Sequence, residues 1–338
     1  MSEVLVVGAG IVGLSTAYWL VKAGLSVTVI EQGPVPCPLA SSADHHRLIR
    51  YAYGNNAGYT ARITDAYAAW RDMWADLRNG EGHYYAATGT LGVSQEAGDY
   101  TDASARVMSE LGVPFERIEG ADLARRFPFL ETANLAFGML SEGGALMANR
   151  ILVDLADWLR GQGVSVMENT PVAELDPAAG RLDLADGRVV TADQIVVAAG
   201  ISTASLLPDL DIELVPYRTV IVYATPPEDL AQAYAKAPCW TDMGGATDLW
   251  GMPGIGGLPM KLGNGGLGRR EPTVTERAMD KAEAQKAVAG YQGRFRGIDR
   301  FHLHWWQANY WTEAPGSDFV LAKLDRCVAV SACSGHGF

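Results

Sequence analysis

The hydrophobic pattern of the chain begins with a strand, a helix and a second strand. The apolar run Val4–Val7 predicts a buried parallel strand, and Val27–Ile30 predicts another of the same kind. A helical run lies between them. Within residues 60–80, apolar residues recur at helical spacing and predict an amphipathic helix with an aromatic stripe facing the core: Ile63, Ala66, Ala69, Trp70, Met73 and Trp74.

The pattern of the beginning returns in the middle of the chain. A helical run from Ile151 to Gln162 ends at Gly163, which suits a C-cap. The residues up to Gly200 then predict apolar strands, with a hairpin turn at Asp186-Gly187; the strands are Val164–Val166, Val172–Leu175 and Gln194–Val197.

A different pattern occupies the region from Pro216 to about Asp318. Apolar residues such as those of Val220–Tyr223 alternate with polar turns and frequent glycines, which predicts a mostly antiparallel second domain. Eight residues of this region are candidates to line a pocket: Trp240, Trp250, His302, His304, Trp305, Trp306, Tyr310 and Trp311. The runs Phe319–Leu321 and Cys327–Val330 then predict buried strands again, so we expect the chain to return to its first domain.

The turn after the first strand carries the glycine pattern of a dinucleotide site. Gly8 permits the tight turn, Gly10 lets the backbone approach a pyrophosphate, and Gly13 lets the helix pack against the strand. The helix N-terminus offers N–H groups and partial positive charge to the phosphates. Glu31, about 20 residues further on, suits a ribose contact. Ile11, Val12 and Gln32 are further candidate contacts, and the segment alone permits NAD or FAD.

Composition and charge exclude several classes of protein. The 338 residues include 39 acidic and 27 basic side chains, a net charge of -12, which argues against nucleic acid or an anionic membrane as partner. No run approaches the ~18 apolar residues of a membrane span, and the early glycine turn leaves no room for a signal peptide before the first strand. The four cysteines are scattered, so neither a disulfide framework nor a metal site is expected. We therefore expect a cytoplasmic protein.

Three segments together resemble one family. They are Arg47–Gly54, Pro253–Gly263 and Ser334–Phe338. They are similar, in order and approximate spacing, to segments of the D-amino-acid-oxidase superfamily, and most of all to its monomeric sarcosine oxidase and N-methyltryptophan oxidase branch. The resemblance implies FAD as cofactor. It also implies an α/β (α+β, two-domain) fold with a discontinuous Rossmann-like FAD-binding domain (1–83, 147–215 and 318–338) and a mostly antiparallel substrate domain (84–146 and 216–317).

The resemblance also implies roles for individual residues. Lys261 is similar to a lysine that lies over the flavin, where a fixed cation stabilises the charge that develops on oxygen. Arg50 is similar to an arginine whose guanidinium fork pairs with the substrate carboxylate, and Arg47 to one facing the flavin; alternatively, one of them pairs with Asp44 or Glu31. Tyr310 and His336 complete the candidate catalytic residues. The further cofactor contacts are Ser42, Leu48, Val172, Ala199, Gly200, Gly335, Gly337 and Phe338.

The sequence departs from the family at three places. Ala308 stands where sarcosine oxidase has the cysteine that attaches FAD, so we expect FAD without a covalent link. Gly265 replaces a histidine four residues after the lysine, so the surroundings of the substrate differ. The family continues after the glycine-histidine-glycine-phenylalanine turn with a substrate-binding lysine, a helix and a strand, whereas this sequence ends at Phe338; a truncated sequence and a protein that works without this part both stay open.

The function implied by the resemblance is oxidation of a small secondary amine or amino acid, N-methyl or cyclic. Hydride passes to flavin N5, and the products are an imine and hydrogen peroxide, so molecular oxygen is a partner. Three alternatives stay open: a dehydrogenase of the same fold with another electron acceptor, a natural-product tailoring enzyme whose tryptophans accept a bulky ring, and a flavin-binding protein without catalysis.

Overall fold

The computed structural model describes residues 3–243, 248–271, 277–336 and 338. Its α-helices are α1 (Ile11–Lys22), α2 (Ala57–Asp76), α3 (Glu81–Tyr84), α4 (Tyr100–Glu110), α5 (Gly120–Arg126), α6 (Ala148–Gly161), α7 (Thr203–Leu206), α8 (Ala231–Tyr234) and α9 (Lys281–Ala289). The first ten strands are β1 (Glu3–Val7), β2 (Ser26–Ile30), β3 (Arg47–Arg50), β4 (Tyr85–Ala86), β5 (Thr90–Ser94), β6 (Phe115–Ile118), β7 (Phe137–Ser141), β8 (Gly143–Leu146), β9 (Ser165–Met167) and β10 (Val172–Asp176). The remaining strands are β11 (Arg181–Leu184), β12 (Val189–Thr191), β13 (Gln194–Val197), β14 (Val215–Thr225), β15 (Cys239–Trp240), β16 (Leu249–Met252), β17 (Met260–Arg270), β18 (His302–Glu313), β19 (Val320–Leu324) and β20 (Cys327–Ser331).

A six-stranded sheet unites the beginning, the middle and the end of the chain. Its order is β19-β20-β13-β1-β2-β9, and neighbours run parallel except for the edge pair β19 and β20. Parallel strands covered on both faces are apolar along their whole length, which explains why β1, β2 and β13 have continuous apolar runs. The later strands do return to the first sheet, since β13 pairs with β1 and β20 pairs with β13. The expectation of a buried strand at Phe319–Leu321 is wrong, because β19 is the sheet edge and Phe319 and Leu321 are 51% and 76% exposed.

The predicted helices form, with shifted ends. The helix expected within 60–80 spans Ala57–Asp76 because Asn56 caps it: its side-chain oxygen accepts the N–H of Tyr59 at 3.0 Å. The helix expected from Ile151 begins three residues earlier, at Ala148. Gly163 has a φ of 85°, in the left-handed region, and so acts as the predicted stop signal.

Eight other strands form a larger, mostly antiparallel sheet. Its order is β18-β14-β17-β16-β15-β5-β7-β6, and among the described residues only β15 and β5 pair in parallel. Two three-stranded sheets accompany it, β10-β11-β12 and β3-β8-β4. The α/β fold class with a mostly antiparallel part is therefore confirmed, while the exact domain boundaries stay a prediction.

Separate apolar cores stabilise the two large sheets. Leu14, Tyr18 and Leu155 belong to a core that includes one face of the six-stranded sheet, and residues of β10–β13 contribute to a core on its other side. Trp240 and Tyr291 lie in the core of the antiparallel sheet. Among the described helices, none is long and apolar enough to cross a membrane.

Candidate active site

The glycine turn has the close packing that its sequence pattern requires. Gly8 has a φ of 104°, and a side chain there would overlap the carbonyl of Ala198 at the end of β13. A Cβ at Gly13 would lie 2.9 Å from the carbonyl carbon of Gly8 and overlap its oxygen. A Cβ at Gly10 meets only the hydroxyl of Ser42, at 3.1 Å. Gly8 thus lets the turn pack against the end of β13, Gly13 lets α1 pack against the turn, and Gly10 leaves space above it.

Glu31 is fixed by the turn that it follows. The side chain is 6% exposed, and its carboxylate accepts the N–H of Ala9 at 2.7 Å and that of Gly33 at 3.1 Å. Ser42 approaches from the opposite direction and accepts the N–H of Ile11 at 3.2 Å. These contacts place a carboxylate and a hydroxyl beside the N-terminus of α1.

One cavity of about 1280 Å³ connects this turn to the C-terminal segment. It exceeds the range of about 300–1,000 Å³ that is usual for a single small ligand, as expected for a site that holds a cofactor and a substrate. The predicted cofactor residues that border it are Gly8, Gly10, Ile11, Val12, Glu31, Gln32, Ser42, Arg47, Leu48, Val172, Ala199, Gly200, Gly335 and Phe338. Gly13 acts through packing below the turn, and Gly337 lies outside the described residues.

The same cavity is bordered by three of the four candidate catalytic residues, Arg50, Tyr310 and His336. The guanidinium of Arg50 lies 4.4 Å from the ring centre of Tyr53, a cation–π contact, and its Nε has no hydrogen-bond partner among the described residues. Burial acts to lower the pKa of Arg50, but its interactions with Tyr53, Tyr100 and Asp248 act to raise it, so the group stays charged. Burial, together with the charge of Arg50, lowers the pKa of His336 to about 4, so its imidazole is neutral.

Five of the eight residues proposed for the pocket wall lie elsewhere, and that part of the prediction is wrong. Trp240 is fully buried in the core of the antiparallel sheet. Trp305 stacks on Tyr223 with ring centres 4.5 Å apart, and Trp306 donates its indole N–H to the carbonyl of Met279. His302 and His304 are exposed. Of the eight, only Trp250, Tyr310 and Trp311 border the cavity, because it meets β18 at Asn309–Thr312 and not along the first half of that strand.

Lys261 lies beneath the cavity in a buried ionic network. Its side chain is 0% exposed, and it is not among the described residues that border the cavity. Nζ donates to the carboxylate of Asp44 and, at 2.9 Å, to the carbonyl of His46. Nζ also lies 5.5 Å from the ring centre of Trp250, which does border the cavity. Lys261 therefore contacts an aromatic ring of the cavity wall.

Asp44 is the centre of that network. Besides Lys261, its carboxylate accepts hydrogen bonds from Arg47 at 2.7 Å and from the phenol of Tyr223 at 2.7 Å. Burial acts to raise the pKa of Asp44, but Lys261 and Arg47 hold it well below its usual range. Burial lowers the pKa of Lys261, against the attraction of Asp44. Arg47 thus pairs with Asp44, as one alternative expected, and it also borders the cavity; its place beside the flavin stays a prediction.

The buried His46 should make stability depend on pH. Burial lowers its pKa to about 3, so on acidification His46 is protonated near pH 6.5 in the unfolded chain but stays neutral in the folded chain. Stability should therefore fall as pH falls from 6.5 towards 3, by up to about 1.4 kcal/mol per pH unit from this group. We expect His46→Leu to reduce this slope in urea titrations, while His336 and, below pH ~4, Asp44 continue to contribute to it. The exposed control His302→Leu should leave the slope unchanged, and equal slopes for His46→Leu and wild type would contradict this assignment.

The sequence did not reveal several cavity residues. Cys37, Thr170 and Asp248 border the cavity although no motif marks them. Trp70 and Met73 of α2 also border it, in addition to the core role predicted for them. For Trp70 and Met73, the helical spacing of aromatic and apolar residues in α2 predicted a place in the core but not at the cavity.

The residues around the turn fit the diphosphate and ribose of a dinucleotide such as FAD. The space above Gly10, the N–H groups of α1 and the fixed carboxylate of Glu31 are the features that a diphosphate and a ribose require. The family described as FAD-dependent oxidoreductase (DAO) matches residues 3–338. The chain belongs to this family. The match covers nearly the whole chain, in agreement with the family resemblance of its sequence motifs.

Curated relatives and solved structures agree with this membership. Monomeric sarcosine oxidase of a Bacillus species is 24% identical over 351 residues, covering 99% of this oxidoreductase and 89% of the relative. N-methyl-L-tryptophan oxidase of Salmonella arizonae is 22% identical over 355 residues, covering 99% and 90%. L-proline dehydrogenase from P. horikoshii shares the fold, with a TM-score of 0.83 and 16% identity over 99% of this chain and 88% of its own.

Proposed function

We propose that the protein oxidises a small secondary amine or amino acid, N-methyl or cyclic, with FAD bound without a covalent link. The observation that carries the proposal is Arg50: a charged guanidinium borders the cavity with an unpartnered Nε and is held against Tyr53. A guanidinium in such a position suits the carboxylate of an amino acid, which it binds through two parallel hydrogen bonds. The names of the relatives, sarcosine oxidase and N-methyl-L-tryptophan oxidase, support the amine class.

The protein's own share of the reaction is binding, orientation and exclusion of water. Arg50 would hold the carboxylate, while the rings of Trp250, Tyr310 and Trp311 enclose the rest of the substrate. When bound, FAD supplies the hydride acceptor for oxidation of the C–N bond to an imine, with molecular oxygen as the terminal oxidant and hydrogen peroxide as product. Ala308 is fully buried and carries no nucleophile, which supports a non-covalent cofactor.

A dehydrogenase of the same fold is the second candidate, and one observation favours it. Lys261, the cation expected to assist oxygen, is paired with Asp44 and lies under Trp250 rather than at the cavity. A neutralised cation stabilises developing negative charge less than a free one. Peroxide release, compared with reduction of an artificial acceptor under the same conditions, distinguishes the two.

The absorbance spectrum of the purified protein tests the proposal directly. We expect a yellow protein that bleaches without oxygen on addition of sarcosine, proline or N-methyltryptophan and recovers its colour in air. Denaturation with acid should release the flavin into the supernatant, since no covalent link is proposed. A protein that stays colourless after addition of FAD and removal of the excess would refute the proposal. A yellow protein that no amine bleaches would favour a flavin-binding role without catalysis.

Arg50→Met should weaken binding of the amino-acid substrate, and so raise KM, far more than it lowers kcat. Loss of one partner of a desolvated charge pair costs about 2–5 kcal/mol, so we expect an increase in KM of about 30-fold or more. Arg50→Lys keeps the charge but loses the forked guanidinium, so its KM should lie between those of wild type and Arg50→Met. The exposed Arg62→Met, whose side chain is 81% accessible, is the control. An unchanged KM in Arg50→Met would exclude this residue as the carboxylate partner.

A further inference from the structure

Besides Glu31, Arg47 and Arg50, the carboxylate residue Asp248 borders the cavity, and it interacts electrostatically with Arg50. Asp248 directly precedes β16 and is held by its backbone, whose carbonyl accepts the N–H of Gly265 at 2.7 Å. Its carboxylate lies over Gly265: a Cβ built there would be 2.8 Å from Cγ of Asp248 and would overlap Oδ2. The glycine of β17 therefore makes the space that this carboxylate occupies.

Asp248 and Arg50 face the same cavity without neutralising each other. Among the residues that the structure describes, no ion pair joins them and none donates a hydrogen bond to the Asp248 carboxylate, which is influenced only by burial and by the charge of Arg50. Their charges nevertheless interact: burial raises the pKa of Asp248, and Arg50 acts in the opposite direction. A partly desolvated carboxylate without a donor is unfavourable, and a ligand that brings an N–H removes the cost.

Two opposite charges bordering one cavity match a molecule with two opposite charges. We propose that Asp248 binds the nitrogen of the substrate, so that the site selects a molecule with an amine beside its carboxylate over a carboxylic acid of the same shape. This inference rests on the proposed function, in which Arg50 takes the carboxylate. An acid without nitrogen offers nothing to Asp248 and is repelled by it, which is the physical basis of the selection.

Two isosteric probes test the proposal on the FAD-loaded protein. In 2-aminoisobutyrate the α-carbon carries a nitrogen and no hydrogen, so it cannot lose a hydride; pivalate has a methyl group in place of that nitrogen. We expect wild type to bind 2-aminoisobutyrate about tenfold or more tightly than pivalate, measured by calorimetry and by the shift of the flavin spectrum. Asp248→Asn should bring the ratio close to one, weakening the amino acid while leaving or improving binding of the acid.

Gly265→Ala provides an independent variant that keeps the charge. Its Cβ would displace the Asp248 carboxylate, and no strained φ opposes alanine there, so the same loss of selectivity is expected. The control Asp65→Asn removes a carboxylate that is 69% exposed on α2 and should change nothing. A ratio that Asp248→Asn leaves at its wild-type value, or an equal loss for both probes, would overturn the proposal. If wild type binds neither probe and no amine bleaches the flavin, the proposed function fails together with it.

Discussion

Replacing Gly13 by alanine is expected to raise the dissociation constant of FAD by about 100-fold or more and to destabilise the fold by about 1–3 kcal/mol. The added Cβ would lie 2.9 Å from the carbonyl carbon of Gly8 and overlap the oxygen. Both partners are backbone, so no side chain can move aside. Either α1 or the turn must shift, and with it the N–H groups that the diphosphate needs.

Two further glycines separate cofactor binding from folding. Gly10→Ala meets only the movable Ser42 hydroxyl, so it should unfold like wild type yet bind FAD poorly, because its methyl group fills the space above the turn. Gly161→Ala at the end of α6 has no atom within 4 Å and should leave both properties intact. Flavin fluorescence titration and urea unfolding measure the two effects. Normal FAD affinity in Gly13→Ala would refute the proposed role of the turn.

Asp44→Asn should cost about 3–5 kcal/mol of unfolding free energy, because it leaves Lys261 buried and charged without its counterion. The substitution keeps the size of the side chain, so lost charge rather than lost volume is tested. Lys261→Met should cost less, since Arg47 and Tyr223 remain as partners of Asp44. The exposed Asp65→Asn should change stability by less than about 1 kcal/mol.

The double variant Asp44→Asn/Lys261→Met makes the test specific. Removing both charges should recover about 1 kcal/mol or more relative to Asp44→Asn alone, as expected for residues in direct contact. The sign of the pH dependence is also fixed: the pKa of Asp44 is lowered on folding, so its contribution is present above pH ~4 and is lost as pH falls further. Strict additivity of the two substitutions would contradict the ion pair.

Local patterns were sufficient for the parts of the fold that depend on near neighbours. The glycine turn, β1, β2, α1 and the carboxylate of Glu31 all lie within 31 consecutive residues, where turn geometry and strand burial leave little choice. The return of the chain to the first sheet was also predictable, because a strand buried on both faces is apolar throughout. The parts of the site that lie on β3 and at the C-terminal segment came from the family resemblance.

Contacts between distant strands could not be predicted in this way. Lys261 is separated from Asp44 by 217 residues, and nothing in either segment shows that they form a buried pair. Trp305 and Trp306 are adjacent in the sequence, yet neither borders the cavity, because the cavity meets β18 only from Asn309 to Thr312, and no local pattern marks that part of the strand. Asp248 has no motif, and its place depends on the absence of a side chain at Gly265 on the neighbouring strand.

The sequence by itself therefore determined the dinucleotide turn, the α/β class and the family, because these follow from short-range periodicity and from motifs whose spacing is set by backbone geometry. Only the tertiary structure decided where the charged side chains lie. Lys261 pairs with Asp44 away from the cavity, whereas Arg50 and Asp248 both border the cavity. Side-chain placement across a sheet depends on register and on the volume of residues far apart in the chain, and a linear pattern carries neither.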